Sequence, residues 1–314
     1  MFTVARLRTF VAVAQHGSLS AAALELSYTQ SAVSQQVAAL EAQAGMPLLE
    51  RHARGVRLTE AGETLLAHAE SVLSHLDAAQ QELAALAGLR AGRLRIASFP
   101  SAGATLMPLA VATFRARHPG VELTLAEDEP EHVLPRLAGG ELDLALLFEF
   151  GEESEAGGQG FELAQLLEDP MYLALPSGHP LASRRRLRLE DLRGQSWVQT
   201  SSSSACARHV VRLCIAAGFE PQVSFESDDY QTIQGLVAAG VGVALIPEIA
   251  LSSLRKDIAI RALHPNPPLR KVIAAMPPTA QRSVAAEAML EILRDISRRY
   301  VPFGPAHRPS AASE

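Results

Sequence analysis

Apolar residues recur with helical spacing along the first part of the chain. Leu7, Phe10, Val11 and Ala14 fall at i, i+3, i+4 and i+7, one face of a helix. Gly17 stops that helix, and Ser18 is placed to cap a second one holding Ala21 to Leu24. After a turn at Ser27 and Tyr28, Thr29 can cap a third helix running to Gly45. Its apolar face is Val33, Val37, Leu40 and Ala44. Its opposite face shows Gln30, Ser31, Ser34, Gln35 and Ala38. Two short apolar stretches then flank an arginine-rich turn between Leu48 and Leu58, the pattern of a small hairpin.

Thr59 opens a longer helix. Leu65, Ala69, Val72, Leu76, Ala79, Leu83 and Leu86 alternate at spacings of four and three, a heptad seam. Such a seam packs either on its own domain or on a partner helix. Its two-position width favours a partner, most simply the same helix of a second subunit. Gly88 to Gly92 ends the helix as a linker.

From Leu94 the period changes. Strands are expected at 94–98, 121–126, 142–148, 171–175, 197–200, 223–226, 241–246, 258–263 and 272–275. Helices are expected near 104–118, 131–138, 204–217, 229–239 and 283–299. This alternation predicts a mainly parallel α/β sheet over more than 200 residues, in one large or two small subdomains.

Composition sharpens this picture. A length of 314 residues suits about two domains. With 48% hydrophobic and 20% charged residues the chain can bury cores and is not disordered. No apolar run approaches the roughly 18 residues needed to span a bilayer, and Met1 to Phe10 is no secretory signal, so a cytoplasmic protein is expected. The net charge of −6 argues against a nucleic-acid partner only while it is averaged. Residues 1–59 hold five arginines against three glutamates, a local +2. Residues 60–90 hold one arginine against five acids, −4, which leaves −4 for the remainder.

Two helices joined by a short turn, the second with small polar residues outward, form the pattern of a helix-turn-helix. Gln can pair bidentately with adenine, and Ser can read a base edge or a phosphate. The hairpin arginines suit a narrow minor groove. Pattern alone leaves a helical dimerisation module with a solvated polar face as the competing reading.

The run Ala21-Ala22-Ala23-Leu24, Thr29 to Val37, Leu40-Glu41, Gly45, Pro47 to Arg51 and Arg54 to Gly62 resembles the winged helix-turn-helix signature of LysR-type transcriptional regulators. Arg117 to Val121, Gly140 to Ala145, His179-Pro180-Leu181, Ala217-Gly218-Phe219 and Ala239 to Pro247 resemble landmarks of that family's effector domain. The resemblance implies a winged helix-turn-helix over residues 1–59, a dimerisation helix over 60–90 and a two-lobed effector domain over 91–302. Lobe I would take about 91–163 and 268–302, lobe II about 164–267, and 303–314 would be a flexible tail. It places Thr29, Gln30, Ser31, Ser34 and Gln35 on DNA in the major groove, with Arg51 and Arg54 on the wing. It implies double-stranded operator DNA, a small-molecule effector and a homodimer assembling as a dimer of dimers as partners, with RNA polymerase as a further one. It implies no membrane, metal or cofactor. Ser31 stands where the family often has proline, Leu49 where it often has phenylalanine, and Gln35 where many relatives carry arginine.

In such a domain ligands sit beyond the strand carboxyl ends. Ser98 and Ser101 follow one strand, and Thr200, Ser201 and Ser202 follow another, each run before a helix. Their N–H groups and hydroxyls suit an organic acid, with Phe148 as a wall. Each serine alone could simply cap a helix, and Phe148 could belong to the core. Asp228 and Asp229 are expected to cap the helix near 229–239. Cys206 and Cys214 lie eight apart on one expected helix, a rise of about 12 Å, too far for a disulfide without unfolding. Peroxide-sensing members of the family carry a reactive pair in this region, so a redox-sensing regulator stays an alternative. An enzyme finds no support, because no phosphate loop, nucleophile elbow or metal-ligand spacing occurs. A stand-alone solute-binding protein would fit the C-terminal two-thirds only.

Overall fold

The computed structural model describes residues 2–52, 55–86, 92–151, 160–279 and 282–301. The chain divides into two compact units, one built on residues up to Ala84 and one on those from Ala85. Gly88 of the linker and the tail expected from 303 lie outside the described residues, as does Arg54 of the wing.

In the first unit, local signals set each boundary. α1 (Val4–His16) ends at Gly17, whose φ of 58° is left-handed and suits glycine. α2 (Leu19–Glu25) starts where the Ser18 side chain accepts from the Ala21 N–H. α3 (Gln30–Ala44) starts where Thr29 accepts from the Ala32 N–H, and ends at Gly45. Phe10, Val13, Ala22, Val33, Val37 and Leu40 meet in one core with almost no exposure. β1 (Leu49–His52) and β2 (Gly55–Leu58) pair antiparallel as the expected hairpin. Its seat is backbone-made. The Val56 N–H donates to the Gly17 carbonyl, and a Cβ at Gly55 would lie 2.5 Å from that same oxygen.

α4 (Glu60–Leu86) follows, with Thr59 accepting from the Gly62 N–H. Its first turns belong to the core just described: Ala69 is buried, and Leu65, Leu66 and Leu73 pack against it. Further along, Val72 and Leu76 are exposed. The heptad seam therefore changes role along its length. Its beginning serves its own domain, and its middle faces outward.

The second unit is α/β, but its sheet is mixed rather than mainly parallel. β3 (Gly92–Ser98) lies between β4 (Val121–Glu127) and β5 (Leu144–Phe150), parallel to both. β6 (Glu162–Pro176) and β11 (Leu269–Met276) run antiparallel to each other, and β11 runs antiparallel to β5. β6 is much longer than its apolar core at 171–175 suggested. Up to Pro170 it pairs with β11. From Met171 it pairs with β9 (Ala244–Pro247) and β10 (Ile258–Arg261). One strand is thus shared by two lobes. Strand direction is a long-range property, and a local apolar run does not carry it.

In the second lobe β7 (Ser196–Gln199) and β8 (Gln222–Glu226) pair parallel. The expected helix at 104–118 is broken into α5 (Pro100–Thr105) and α6 (Met107–Arg117), with Pro108 in the first turn of α6. Proline lacks the N–H that would continue α5. α7 (Pro130–Ala138), α8 (Ala205–Ala216), α9 (Tyr230–Ala238) and α10 (Val284–Arg299) occupy the remaining expected positions. Asp143 fixes the start of β5. Its carboxylate takes the Arg95 N–H and guanidinium at 2.7–3.2 Å.

Candidate functional site

The α3 face opposite Val33, Val37 and Leu40 is open. Thr29, Gln30, Ser31 and Gln35 are exposed, and Ser34 is half-buried. Thr29 and Ser31 hydroxyls lie 3.0 Å apart, so the first turn is pre-ordered. The next residue shows how finely the helix sorts its glutamines. Gln36 turns inward, and its Oε1 accepts from the Thr9 hydroxyl at 2.7 Å. Gln35 turns outward. A short polar surface on a rigidly seated helix can approach base edges closely. The Arg51 side chain and Arg54 lie outside what is described.

In the second unit two expected residues, Ser101 and Phe148, meet at a residue that sequence reasoning missed. Arg270, on β11, is buried. Its Nε donates to Asp169 Oδ2 at 2.5 Å, and its Nη2 donates to Ser101 Oγ at 2.6 Å. The rings of Phe99 and Phe148 each lie 4.9 Å from the guanidinium carbon. Asp169 is buried too, and its other oxygen accepts from the Ile249 N–H. The pair thus ties the crossing strands to α5 of one lobe and to the Ile249 backbone of the other. Burial alone would lower the Arg270 pKa, but Asp169 and the facing Tyr230 and Cys206 outweigh it and the pKa is raised. A charged residue beside the apolar run 272–275 was the only sequence signal.

The other expected residues divide. Ser98 is buried and donates to the Phe99 carbonyl. Ser101 and Phe148 belong to the Arg270 cluster. Thr200 bonds the hydroxyl of Ser204 at 2.7 Å, and Ser204 caps α8 through the Ala207 N–H. The Ser201 and Ser202 N–H groups, expected to greet a ligand carboxylate, donate to the protein's own Asp228 and Glu226 at 2.8 and 3.0 Å. Asp229 is the cap of α9, accepting from Gln231 and Thr232, which lowers its pKa.

A cavity of about 430 Å³ opens between the lobes, lined by Ser101, Glu127, Asp228, Asp229 and Tyr230 among others. That volume lies in the ordinary range for a small-molecule pocket. Just before α7 stands Glu129, whose pKa is raised to about 7. Burial is the main cause, and repulsion from Glu131 and Asp228 adds to it against the pull of Arg270. Cys206 and Cys214 are both free and buried. Burial raises the Cys206 pKa and pushes the Cys214 thiol up to about 12. Among the described residues no group of three or more His, Cys, Asp or Glu is placed to hold a metal ion, and no helix is long and apolar enough to cross a membrane.

A winged helix-turn-helix followed by a long helix and a two-lobed α/β domain defines a ligand-responsive DNA-binding protein. Residues 4–63 match the bacterial regulatory helix-turn-helix family of lysR type, and residues 87–298 match the LysR substrate binding domain. The probable HTH-type transcriptional regulator LrrA of Synechococcus elongatus is 33% identical over 300 residues, 93% of this chain and 96% of its own length. A probable hydrogen peroxide-inducible genes activator of Mycobacterium avium is 35% identical over 254 residues, 79% of each chain. A full-length OxyR variant from Pseudomonas aeruginosa shares the fold, with a TM-score of 0.74 over 95% of both chains at 24% identity. The chain belongs to the LysR family of transcriptional regulators, and is a DNA-binding regulator with an effector-binding domain.

Proposed function

We propose that α3 reads operator DNA in the major groove through Thr29, Gln30, Ser31, Ser34 and Gln35, with Arg51 and Arg54 gripping phosphates or the minor groove beside it. The supporting observation is the sorting of α3: its apolar face is fully engaged while four of these five side chains stand exposed. The outward middle of α4 pairs two chains, so the operator is pseudo-palindromic with half-sites about one helical turn, or a multiple, apart. Two such dimers would assemble in turn, with RNA polymerase as their downstream partner. The protein acts in the cytoplasm by binding rather than by catalysis. A small-molecule effector enters the interlobe cavity beside Ser101, and shifts the balance between lobe orientations that both DNA and ligand bias. Deeply buried thiols with raised pKa values are poor nucleophiles, which speaks against cysteine-based sensing here.

The test is fluorescence anisotropy with the protein's own upstream promoter region. Gln35→Ala is expected to weaken operator binding by about 1–3 kcal/mol while leaving non-specific binding unchanged. Arg54→Ala is expected to weaken both and to flatten the salt slope by about one ion. Operator affinity unchanged in both variants would refute the assignment. In the same assay, Ser101→Ala is expected to abolish the response to the effector without altering operator binding in its absence.

A further inference from the structure

The interlobe cavity offers a ligand an unusual charge. Its rim carries Glu127 from the end of β4, and Asp228 and Asp229 from the loop before α9. Glu129, half-buried and outside the lining, has Asp228 and Glu131 near enough to repel it. The buried cation beside it, Arg270, is fully engaged by Asp169 and Ser101. Two of the backbone donors expected to hold an anionic ligand, those of Ser201 and Ser202, are occupied by the protein's own carboxylates. An organic acid entering here would meet several carboxylates and no uncommitted cation.

Other side chains show that the cavity expects a polar occupant. Ser101 is only 4% exposed and lines the cavity. Its oxygen accepts from Arg270, yet its own proton has no acceptor among the described residues. Tyr230, 9% exposed, also lines the cavity, and among the described residues its hydroxyl finds only the Cys206 thiol at 3.6 Å. Buried hydroxyls so poorly matched are ordinarily completed by water or ligand.

We infer that the effector is a small organic cation, a primary amine or guanidinium compound. Its charge sits among Glu127, Asp228 and Asp229, within electrostatic reach of Glu129, and its polar remainder reaches the Ser101 and Tyr230 hydroxyls. This rests on the effector reading of the interlobe cavity and replaces the organic acid expected from the serines. A bound cation also relieves the crowding at Glu129. The groups facing that carboxyl are Glu131, Asp228 and Asp128, which oppose its ionisation, and Arg270, which favours it. Affinity for a cation therefore rises with pH through about 7 as Glu129 ionises.

The experiment uses the full-length protein and two probes of matched length, 1,4-diaminobutane and succinate, in calorimetric titrations at pH 6 and pH 8. The diamine is expected to bind, more tightly at pH 8, and to lose about fivefold in affinity in Glu129→Gln or Glu127→Gln. Glu122→Gln, on the same strand as Glu127 but away from the cavity, is expected to change nothing. Thermal unfolding of each variant separates lost binding from lost folding. Succinate binding that Ser101→Ala abolishes, with no response to the diamine, overturns the charge inference and leaves the cavity reading intact. Diamine binding indifferent to the Glu127, Glu129 and Ser101 substitutions overturns the cavity placement itself. Binding of neither probe overturns the inference.

Discussion

At the scale of single residues, the structure turns on charges held out of water. Arg270 and Asp169 are both buried, and each has further partners that only this arrangement satisfies. Such a pair is a poor source of net stability, but removing one member strands the other. Arg270→Ala is expected to lower unfolding free energy by about 3–5 kcal/mol in urea titrations, whereas Arg270→Met with Asp169→Leu should recover most of the loss. Recovery would show that the pair is kept for the geometry it imposes on both lobes. Glu129 is a second case, with its own pH signature. Its pKa rises from the ordinary 4.5 to about 7 on folding, so the folded state holds a proton that the unfolded chain releases. Stability is therefore unaffected below the unfolded value, falls as pH rises through the window from 4.5 to 7, and stays reduced above it. Glu129→Gln removes the titrating carboxyl, so its melting temperature should match the parent's near pH 4.5 and exceed it at pH 8. Equal differences at both pH values would show that the carboxyl does not titrate in this window.

At the scale of elements, close approaches decide what a short sequence can do. Gly62, in the first turn of α4, faces the Leu48 carbonyl so closely that a Cβ would sit 2.1 Å from it. The same oxygen accepts from the Thr59 N–H, and Thr59 in turn donates to the Pro47 carbonyl. The start of α4 and the entry to the wing are thus one joint. Gly62→Ala is expected to cost at least about 1–3 kcal/mol, because backbone rather than a flexible side chain must yield. Chemical denaturation of the full chain should show this loss in the transition of the first unit, with operator binding falling in parallel. The joint also explains what was legible beforehand. Ser18, Thr29, Gly17 and Gly45 announce their helices because caps and left-handed turns act over three or four residues. The α3 faces follow from a period of 3.6. The Arg270–Asp169 pair joins positions 101 residues apart, and no local period reports it. The same holds for β6, whose two halves have different partners, and for the carboxylates of 226 and 228 that fill the donors at 201 and 202. Serines before a helix were readable as a cluster of donors. That other parts of the chain had already engaged those donors was not.

At the scale of the whole molecule, the net charge of −6 and the local +2 of residues 1–59 set how DNA can be held. One reading head has few arginines to neutralise phosphates, and affinity from so few contacts is modest and easily screened. Specific binding then depends on two heads acting together, which doubles the phosphate contacts and converts the second docking into an intramolecular event. The first turns of α4 are spent on the core of their own unit, so the dimer must use the helix beyond them. Val72 is 45% exposed and Leu76 38%, unusual for apolar residues on a regular seam unless something covers them. Placing charge there should separate the two heads while leaving each folded. In Val72→Glu with Leu76→Glu, sedimentation is expected to show a shift toward smaller species at micromolar concentration. Circular dichroism should stay unchanged, because neither side chain is buried in the domain core. Operator affinity should fall by at least about 100-fold, the scale of avidity for linked sites. The slope of log affinity against log salt should drop by about half, since only one set of phosphates is engaged. A variant that stays dimeric, or a monomer that keeps the parental slope, would show that the outward part of α4 is not what brings the two heads together.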